Sequence, residues 1–363
     1  GIKVFGVKNI KEVIDFINEG VPLKKTIVDI EAEFNIQLEN PEFDFADVKG
    51  QESIKRCMEI AAAGGHNIIL IGPPGSGKTM LAKRLPSILP PMTLGEALET
   101  TKIHSITGRT IKKGGIMSSR PFRSPHHTIS DVALVGGGTY PQPGEISLSH
   151  NGVLFLDELP EFKRTVLEVM RQPLEDREVT ISRAKFTVTY PSSFMLVASM
   201  NPSPSGYFND PNAPMTSTPA EMQRYLSKVS GPLLDRIDIH VEVTPVPFDK
   251  LSDDRSGELS KVIRERVIKA RNIQTTRFND LETIFYNAQM GVKQIRQFCK
   301  LNDTSIKLLK SAMKQLNLSA RAYDRILKVS RTIADLEGSE NILSEHISEA
   351  IQYRSLDREG WLG

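Results

Sequence analysis

The segment Gly72-Pro-Pro-Gly-Ser-Gly-Lys78-Thr79 constrains this chain more than any other feature of its sequence. It follows the apolar run 67–71, which predicts a strand buried on both faces, and it precedes a helical stretch. In such a loop the glycines let backbone N–H groups surround phosphate oxygens, the lysine reaches the β- and γ-phosphates, and the threonine hydroxyl ligates Mg²⁺. We therefore expect ATP and Mg²⁺ to bind here. The residues expected to contact the nucleotide are Gly72, Pro73, Pro74, Gly75, Ser76, Gly77, Lys78, Thr79 and Met80.

Two acidic residues, Asp157 and Glu158, follow a second apolar run at 153–156. Carboxylates at the end of a buried strand are costly unless they have a task. Beside a phosphate-binding loop, Asp157 is expected to hold a water bound to Mg²⁺, and Glu158 to polarise the attacking water. The alternative is a strand that ends in two solvated acids.

Three further polar residues are candidates for the same site. Asn201 follows a third apolar run at 194–198, where its amide would orient the lytic water, although Asn-Pro also makes an ordinary turn. Hydrolysis of ATP usually needs a guanidinium near the γ-phosphate. Arg236 and Arg321 are the candidates for this role, and the alternative for each is a surface ion pair.

The pattern of apolar runs predicts an α/β fold with a parallel sheet and hairpin inserts, followed by a smaller helical domain. The expected divisions are an opening segment at 1–45, a nucleotide-binding core at 46–245 and a helical lid at 246–363. Within the core, a helix is expected at about 161–170 and a hairpin around Arg183-Ala-Lys185. In the lid, apolar residues recur at intervals of three and four over 319–336, and Gly338 stands where a helix would end.

The overall composition sets few limits on the partners. The net charge is only +2 and the two cysteines are far apart, so neither a global field nor a disulfide framework is indicated. No apolar run approaches the roughly 20 residues of a membrane span, and no secretory signal is recognisable. These features favour a cytoplasmic protein with no membrane contact.

Basic residues cluster at two places instead. Residues 100–130 contain six Lys or Arg and no Asp or Glu, and the hairpin tip is also basic. A pore or groove that follows a phosphate backbone would need such clusters, whereas the alternative is a solvated basic loop. The adjacent histidines 126 and 127 would ligate one metal ion poorly. The candidate DNA contacts are Lys112, Lys113, Arg120, Arg123, Arg183 and Lys185.

The order of these motifs resembles the AAA+ superfamily, and within it the magnesium-chelatase-like proteins of the ComM/YifB family. The more specific resemblance is carried by Arg-Pro-Phe-Arg-Ser-Pro-His-His at 120–127, by Gly-Gly-Gly-x-x-Pro-x-Pro-Gly-Glu at 136–145, and by the segments 147–158, 226–240 and 352–358. It extends from about residue 46 to the C-terminus.

The resemblance implies roles for particular residues. Asn201 is similar to sensor 1, Arg236 to the arginine finger and Arg321 to sensor 2, while Gly50 and Gln51 resemble the segment that lies against the adenine. A finger that serves the neighbouring subunit implies a homo-oligomeric ring, expected to be a hexamer. In AAA+ helicases, inserts at the two basic places line the central pore.

Two departures from the family are visible. Members usually begin with a Lon-protease-like domain, of which only the end is recognisable here, so we expect this chain to be a fragment that starts after it. Many members also carry cysteines in a Cys-Pro-Cys-Gly-Tyr motif, where this chain has Ser203-Pro-Ser205-Gly-Tyr207 followed by Met215 and Ser217. No zinc site is therefore expected.

The resemblance implies an ATP-driven ring motor on DNA, with helicase or branch-migration activity in recombination or natural transformation. Two alternatives stay open at this point. One is a chelatase-type motor that remodels a protein partner. The other is a nucleotide-switched binding module with little turnover, against which the intact Asp157-Glu158 pair argues.

Overall fold

The structure is a computed structural model that describes residues 3–27, 43–108, 116–183, 186–206, 217–246 and 257–354. The chain divides into two compact units, Gly1–Asn40 and Pro41–Gly363. Phe45 is fully buried in the core of the second unit, so that unit begins a few residues before the expected boundary at 46.

The first unit contains one described helix, α1 (Ile10–Glu19). The Asn9 side chain accepts a hydrogen bond from the backbone N–H of Glu12, and Gly20 ends the helix with a φ of 65°. Most of the segment 26–36, for which either a strand or a helix is compatible with the sequence, lies outside the described residues.

The second unit is built on a parallel five-stranded sheet with the order β2-β5-β8-β1-β9. Two small antiparallel sheets, β3-β4 and β6-β7, stand apart from it. The strands are β1 (Ile68–Ile71), β2 (Phe122–Arg123), β3 (Gly136–Gly137), β4 (Gln142–Pro143), β5 (Val153–Leu156), β6 (Glu178–Ser182), β7 (Thr187–Pro191), β8 (Met195–Met200) and β9 (Ile239–Glu242).

The three apolar runs became the three central strands because both faces of this sheet are covered. Every residue of β1, β5 and β8 is buried. Alternate residues of β1 enter different cores, since Ile68 and Leu70 pack on one face while Ile69 and Ile71 pack on the other. The strands run parallel, so the segments that follow β1, β5 and β8 meet at one edge of the sheet.

Helices surround the sheet and make up the C-terminal region. They are α2 (Glu52–Gly64), α3 (Lys78–Ile88), α4 (Leu94–Ile106), α5 (Asp131–Val135), α6 (Glu145–Leu148), α7 (Arg164–Glu168), α8 (Arg171–Asp176), α9 (Pro219–Leu226), α10 (Gly231–Leu234), α11 (Ser260–Arg277), α12 (Val292–Phe298), α13 (Asp303–Gln315), α14 (Ala320–Leu336) and α15 (Ser344–Gln352). Short 3₁₀ turns occupy Phe45–Asp47, Leu159–Glu161 and Asn287–Gln289. The α/β core followed by a helical region confirms the expected fold class.

One predicted helix differs from the structure. The stretch 161–170 forms the 3₁₀ turn Leu159–Glu161 and the short α7, and α8 then begins at Arg171. Pro173 in the first turn of α8 has no backbone N–H to donate, which prevents one continuous helix. In contrast, the predicted helix at 319–336 is present as α14, and Gly338 beyond it has a φ of 69°.

No helix among the described residues has the length and apolar character needed to cross a membrane.

Candidate active site

The loop between β1 and α3 has the geometry that its glycines predict. Gly75 and Gly77 have φ values of 77° and 90°, which favour glycine. A Cβ at Gly72 would lie 2.3 Å from the carbonyl oxygen of Val243. Helix α3 begins at Lys78, so the first-turn N–H groups have no intrahelical acceptor and face the loop. The loop therefore fits a phosphate group.

Lys78 connects this loop to the residue that follows β8. Its Nζ donates to the carbonyl oxygens of Gly72 and Pro73 at 2.6 and 2.9 Å and to Oδ1 of Asn201 at 3.2 Å. Burial lowers the pKa of Lys78 below its ordinary value, while the negative charges of Asp157 and Glu158 act in the opposite direction. Lys78 and Asn201, 123 positions apart, thus meet at one point.

Asp157, which follows β5, contacts both the start of α3 and the strand β8. Its Oδ2 accepts a 2.8 Å hydrogen bond from the hydroxyl of Thr79, and its Oδ1 accepts one from the hydroxyl of Ser199. The Ser199 hydroxyl also accepts a bond from the backbone N–H of Glu158 at 3.2 Å. A hydroxyl and a carboxylate in contact are a suitable oxygen donor pair for Mg²⁺. The residues present therefore fit this ion.

Glu158 points away from this pair. Its φ of 54° places it in the left-handed region, and 57% of its side chain is exposed. Nδ1 of His127 lies 3.7 Å from Oε2 of Glu158. The His127 and His126 rings pack against each other at an interplanar angle of 34°, with 4.1 Å between the ring centroids. The exposed carboxylate is thus accessible to water, and the histidine segment lies beside it.

A small cavity adjoins Glu158 and Asn201. It has a volume of about 230 Å³, and its lining includes Tyr225 and Lys228. The Tyr225 hydroxyl donates to the carbonyl oxygen of Asn201 at 3.1 Å, which fixes the backbone of the residue after β8. Burial raises the pKa of Tyr225, so this donor keeps its proton.

Gln51 reaches the phosphate-binding loop from the start of α2. Its Nε2 donates to the carbonyl oxygens of Ser76 and Thr244 at 3.1 and 3.0 Å. Gly50 and Gln51 both have positive φ, at 64° and 57°. This turn therefore lies against the phosphate-binding loop, and its expected contact with the adenine stays a prediction.

Arg236 lies at the opposite edge of the sheet. Its carbonyl oxygen accepts a 3.0 Å bond from Nδ2 of Asn67, the residue immediately before β1. The phosphate-binding loop follows the end of β1, five residues later, which at about 3.3 Å per residue is roughly 16 Å away. That separation is too long for the Arg236 side chain to reach Lys78 of its own chain.

The Arg236 side chain is held inside the chain. Its Nη2 pairs with Glu175, and its Nη1 donates to the carbonyl oxygen of Pro232. Its Nε is buried and has no hydrogen-bond partner among the residues that the structure describes. Only 11% of this side chain is exposed.

Arg321 lies close to Arg236 in the structure. The sequence predicted that Arg321 contacts the nucleotide, but it did not indicate at which edge of the sheet this residue would lie. Its Nη1 pairs with Oδ2 of Asp235 at 2.6 Å. One turn later in α14, Nη1 of Arg325 lies 3.0 Å from Oδ1 of Asp238, just before β9. The start of α14 therefore lies along the amino edge of the sheet. Both candidate arginines are at this edge, away from the phosphate-binding loop of their own chain.

A buried polar network fixes this amino edge. Asp238 is 2% exposed, and its Oδ2 lies 3.1 Å from Nδ1 of His66, whose Nε2 lies 2.8 Å from the Thr332 hydroxyl. Burial alone would raise the pKa of Asp238, but the charge of Arg325 and the hydrogen bond from His66 outweigh it and hold the pKa below its ordinary value. The network joins the sheet to the lid helix α14.

The candidate DNA contacts differ in their surroundings. Arg120 donates to Glu96 and to the carbonyl oxygens of Pro90 and Asn151, and Arg123 makes a bidentate pair with Glu145. These two arginines therefore help to hold the fold together, and their role as DNA contacts stays a prediction. Arg183 is exposed at the end of β6. Lys112, Lys113 and Lys185 lie outside the described residues.

Three serines mark the place of the family's cysteine motif. The hydroxyls of Ser203 and Ser205 are 2.9 Å apart, and that of Ser217 donates to Ser205 at 3.1 Å. Tyr207 and Met215 lie outside the described residues. The serines thus hold the loop through hydroxyl hydrogen bonds.

Sequence reasoning missed Ser199, His127 and Glu175 as participants. Ser199 had a detectable signal, since it is the one polar residue in the apolar strand β8. The contacts of His127 with Glu158 and of Glu175 with Arg236 join segments far apart in the chain, so no local pattern marks them.

Comparison with known proteins identifies the family of this chain. Residues 44–251 match the family described as magnesium chelatase, subunit ChlI, and residues 257–354 match its C-terminal family. The chain is 48% identical over 351 residues to competence protein ComM of Haemophilus influenzae, covering 96% of this chain and 67% of that protein. It is 48% identical over 317 residues to YifB of Escherichia coli, covering 87% of this chain and 61% of that protein.

A more distant relative carries the chelatase name itself. The magnesium-chelatase 38 kDa subunit of Cereibacter sphaeroides is 23% identical over 179 residues, which cover 44% of this chain and 53% of that subunit. The chain spans about two thirds of the length of ComM and YifB. It belongs to the magnesium-chelatase-like AAA+ family of ComM and YifB, a family of ATPase-type motors.

Proposed function

We propose that this chain is the motor part of an ATP-hydrolysing ring that moves on DNA, with helicase or branch-migration activity in recombination or natural transformation. The observation that carries the proposal is the separation of the site into two halves. Lys78, Thr79 and Asp157 lie at the carboxyl edge of the sheet, and Arg236 lies at the amino edge.

A complete site therefore needs a second copy of the chain. Two copies in head-to-tail contact place the amino edge of one against the carboxyl edge of the next. Such a heterologous interface repeats, and it closes into a ring when the rotation permits. In a hexamer, Arg236 of each subunit serves the ATP of its neighbour. We assign Arg321 to the same neighbouring nucleotide, because it lies beside Arg236.

Each group has a definite task in the reaction. The backbone N–H groups from Gly75 to Thr79 and the Lys78 ammonium hold the phosphates, and the ammonium exchanges its carbonyl acceptors for phosphate oxygens. Thr79 and Asp157 would hold Mg²⁺, which when bound neutralises charge on the β- and γ-phosphates. Lys78 and Asn201 stay in contact, so the amide is placed beside the γ-phosphate.

Hydrolysis then depends on water and positive charge. The Glu158 carboxylate accepts a proton from the attacking water or polarises it, and the amide of Asn201 orients that water. The bond from water oxygen to the γ-phosphorus forms as the bond to the β,γ-bridging oxygen breaks, giving ADP and phosphate. The guanidinium of the neighbour's Arg236 stabilises the charge that develops, a contribution of about 10³–10⁵ in rate in other phosphoryl-transfer enzymes.

DNA as the partner is supported by the basic segments and by the name of the ComM relative. The exposed Arg183 directly follows β6, and the sequence carries further basic residues at Lys112, Lys113 and Lys185. Contacts of this kind follow the phosphate backbone and read little sequence. We therefore expect binding that weakens steeply with salt.

A steady-state ATPase assay with and without DNA tests the proposal. We expect DNA to stimulate hydrolysis, and we expect Glu158→Gln to abolish hydrolysis in both conditions while it leaves ATP binding intact. Arg183→Ala with Lys185→Ala should reduce the stimulation, and Lys293→Ala, which removes an exposed lysine of α12 in the C-terminal helical region, provides the control for removed charge. Hydrolysis that is indifferent to DNA would exclude the DNA motor and favour a motor that remodels a protein. Negligible hydrolysis in both conditions would favour a nucleotide-switched module.

A further inference from the structure

Glu175 engages the arginine that the neighbouring ATP needs. It belongs to α8, and its carboxylate pairs with Nη2 of Arg236. Nη1 of Arg236 is used by the carbonyl oxygen of Pro232. These two contacts hold the guanidinium inside the chain, where only 11% of the Arg236 side chain is exposed. The group must leave Glu175 and turn outward before it can reach a neighbour's γ-phosphate.

The ion pair between Glu175 and Arg236 can be broken at low cost. The Glu175 side chain is 61% exposed, and exposed ion pairs are weak. A triphosphate carries several negative charges and accepts both guanidinium nitrogens at once. A cavity of about 460 Å³ adjoins the pair, and its lining includes Glu168, Arg171, Glu178 and Arg236. The guanidinium therefore has space to turn away from Glu175.

Glu175 is also tied to the hairpin with the basic tip. Arg177 connects α8 to β6 with a φ of 59°, and its carbonyl oxygen accepts a 2.7 Å bond from the backbone N–H of Ser192 at the end of the hairpin. The hairpin and the turn of Glu175 are therefore joined both by the chain and by this hydrogen bond, whereas Arg236 belongs to the separate segment before β9.

We propose that Glu175 is a positioning residue that holds Arg236 withdrawn, and that the neighbour's ATP takes Arg236 from Glu175 in each turnover. The inference rests on the proposed role of Arg236 in a shared site. DNA at the hairpin promotes the exchange by moving Glu175. Hydrolysis without DNA is thereby kept slow.

The test compares Glu175→Gln with the wild-type protein in ATPase assays with and without DNA. Loss of the carboxylate charge should raise the DNA-independent kcat about twofold to fivefold, the size of a weak ion pair's contribution. The ratio of stimulated to basal rate should fall by the same factor. Affinity for ATP, measured by equilibrium binding, should stay unchanged, because the phosphate-binding loop is at the other edge of the sheet. Glu178→Gln, which removes a carboxylate from the same cavity, should leave both rates at their wild-type values.

Two variants distinguish the role of Glu175 from the shared site that includes Arg236. If Arg236→Ala abolishes hydrolysis but Glu175→Gln lowers the basal rate or leaves it unchanged, Glu175 does not hold the finger back and the inference is overturned. If Arg236→Ala has no effect on hydrolysis, the shared site itself is wrong. Glu175→Asp keeps the charge on a shorter side chain and should give a basal rate between those of the wild type and Glu175→Gln. Thermal unfolding of each variant shows whether a changed rate comes from lost structure.

Discussion

The two edges of the central sheet carry opposite kinds of site. At the carboxyl edge, polar groups from three strands bond to one another, as Lys78 does with Asn201 and Thr79 with Asp157. At the amino edge, Arg236 and Arg321 are each bound to a carboxylate, Glu175 and Asp235 respectively. The first edge is a preformed receptor for a phosphate group. The second offers positive charge that must leave a partner before it can act elsewhere. The proposed site shared between neighbouring copies accounts for this difference, since each copy would supply one edge to each of two sites.

The amino edge itself combines a rigid and a loose part. Asp238 is 2% exposed and belongs to a buried network, whereas Asp235 is 31% exposed and pairs with an arginine that is 67% exposed. The network fixes the position of the lid helix relative to the sheet. The looser pair leaves Arg321 free to change partners.

The largest expected effect separates binding from hydrolysis. Arg236→Ala should lower kcat about 10³-fold and change the Kd for ATP less than about threefold, because Arg236 does not reach the nucleotide of its own subunit. Lys78→Ala should abolish both. ATPase assays and equilibrium binding of a fluorescent ATP analogue measure the two quantities. A similar loss of binding in both variants would contradict the division between the edges.

The next effect concerns stability. Asp238→Ala removes one partner of a buried charged group and should lower the free energy of unfolding by about 3–5 kcal/mol. Asp235→Ala removes a partner of an exposed pair and should cost less than about 1 kcal/mol. Urea unfolding of both variants gives the comparison. Equal losses of unfolding free energy in the two variants would show that the buried and the exposed ion pairs of the amino edge contribute equally to stability.

A smaller effect is expected at the metal-binding pair. Asp157→Asn should raise the Mg²⁺ concentration needed for half-maximal hydrolysis about tenfold, since a ligating carboxylate becomes a neutral amide. Arg321→Ala serves as the control at the other edge and should leave this concentration unchanged. Mg²⁺ titrations of the ATPase rate provide the measurement. An equal shift in the two variants would place Arg321 at the metal instead.

The smallest effect is a dependence on pH. Asp238 has a lowered pKa in the folded chain, so below its ordinary value of 3.8 the unfolded chain binds more protons than the folded one. The stabilisation from Asp238 is present above pH 3.8 and is lost as the pH falls towards the folded value, by at most about 1.4 kcal/mol per pH unit. The difference in unfolding free energy between the wild type and Asp238→Asn should therefore shrink with acid. If this difference in unfolding free energy instead grew as the pH fell, the pKa of Asp238 would be raised in the folded chain, not lowered.

Much of the carboxyl edge was predictable from the sequence. Buried parallel strands are continuous apolar runs, and the residues that follow them meet at one edge, so Lys78, Asp157 and Asn201 were expected to lie together. The glycines of the loop were predictable for the same local reason. Sequence periodicity also gave α14 and its end near Gly338.

The amino edge was not predictable in the same way. Its arginines were found by resemblance, but their partners depend on contacts between distant segments. Glu175 and Arg236 are 61 positions apart, and Asp235 and Arg321 are 86 positions apart. The glutamate partners of Arg120 and Arg123 were unpredictable for the same reason, because the sequence shows a basic segment but not the glutamates that fold against it.

Mixing two inactive variants tests the central claim most directly. Lys78→Ala keeps an intact Arg236, and Arg236→Ala keeps an intact phosphate-binding loop. If each site is shared between neighbours, an equal mixture should recover about one quarter of the wild-type ATPase rate, because one interface in four combines the two intact halves. A mixture that stays as inactive as the separate variants, although it assembles into mixed rings, would contradict a site shared between the two edges.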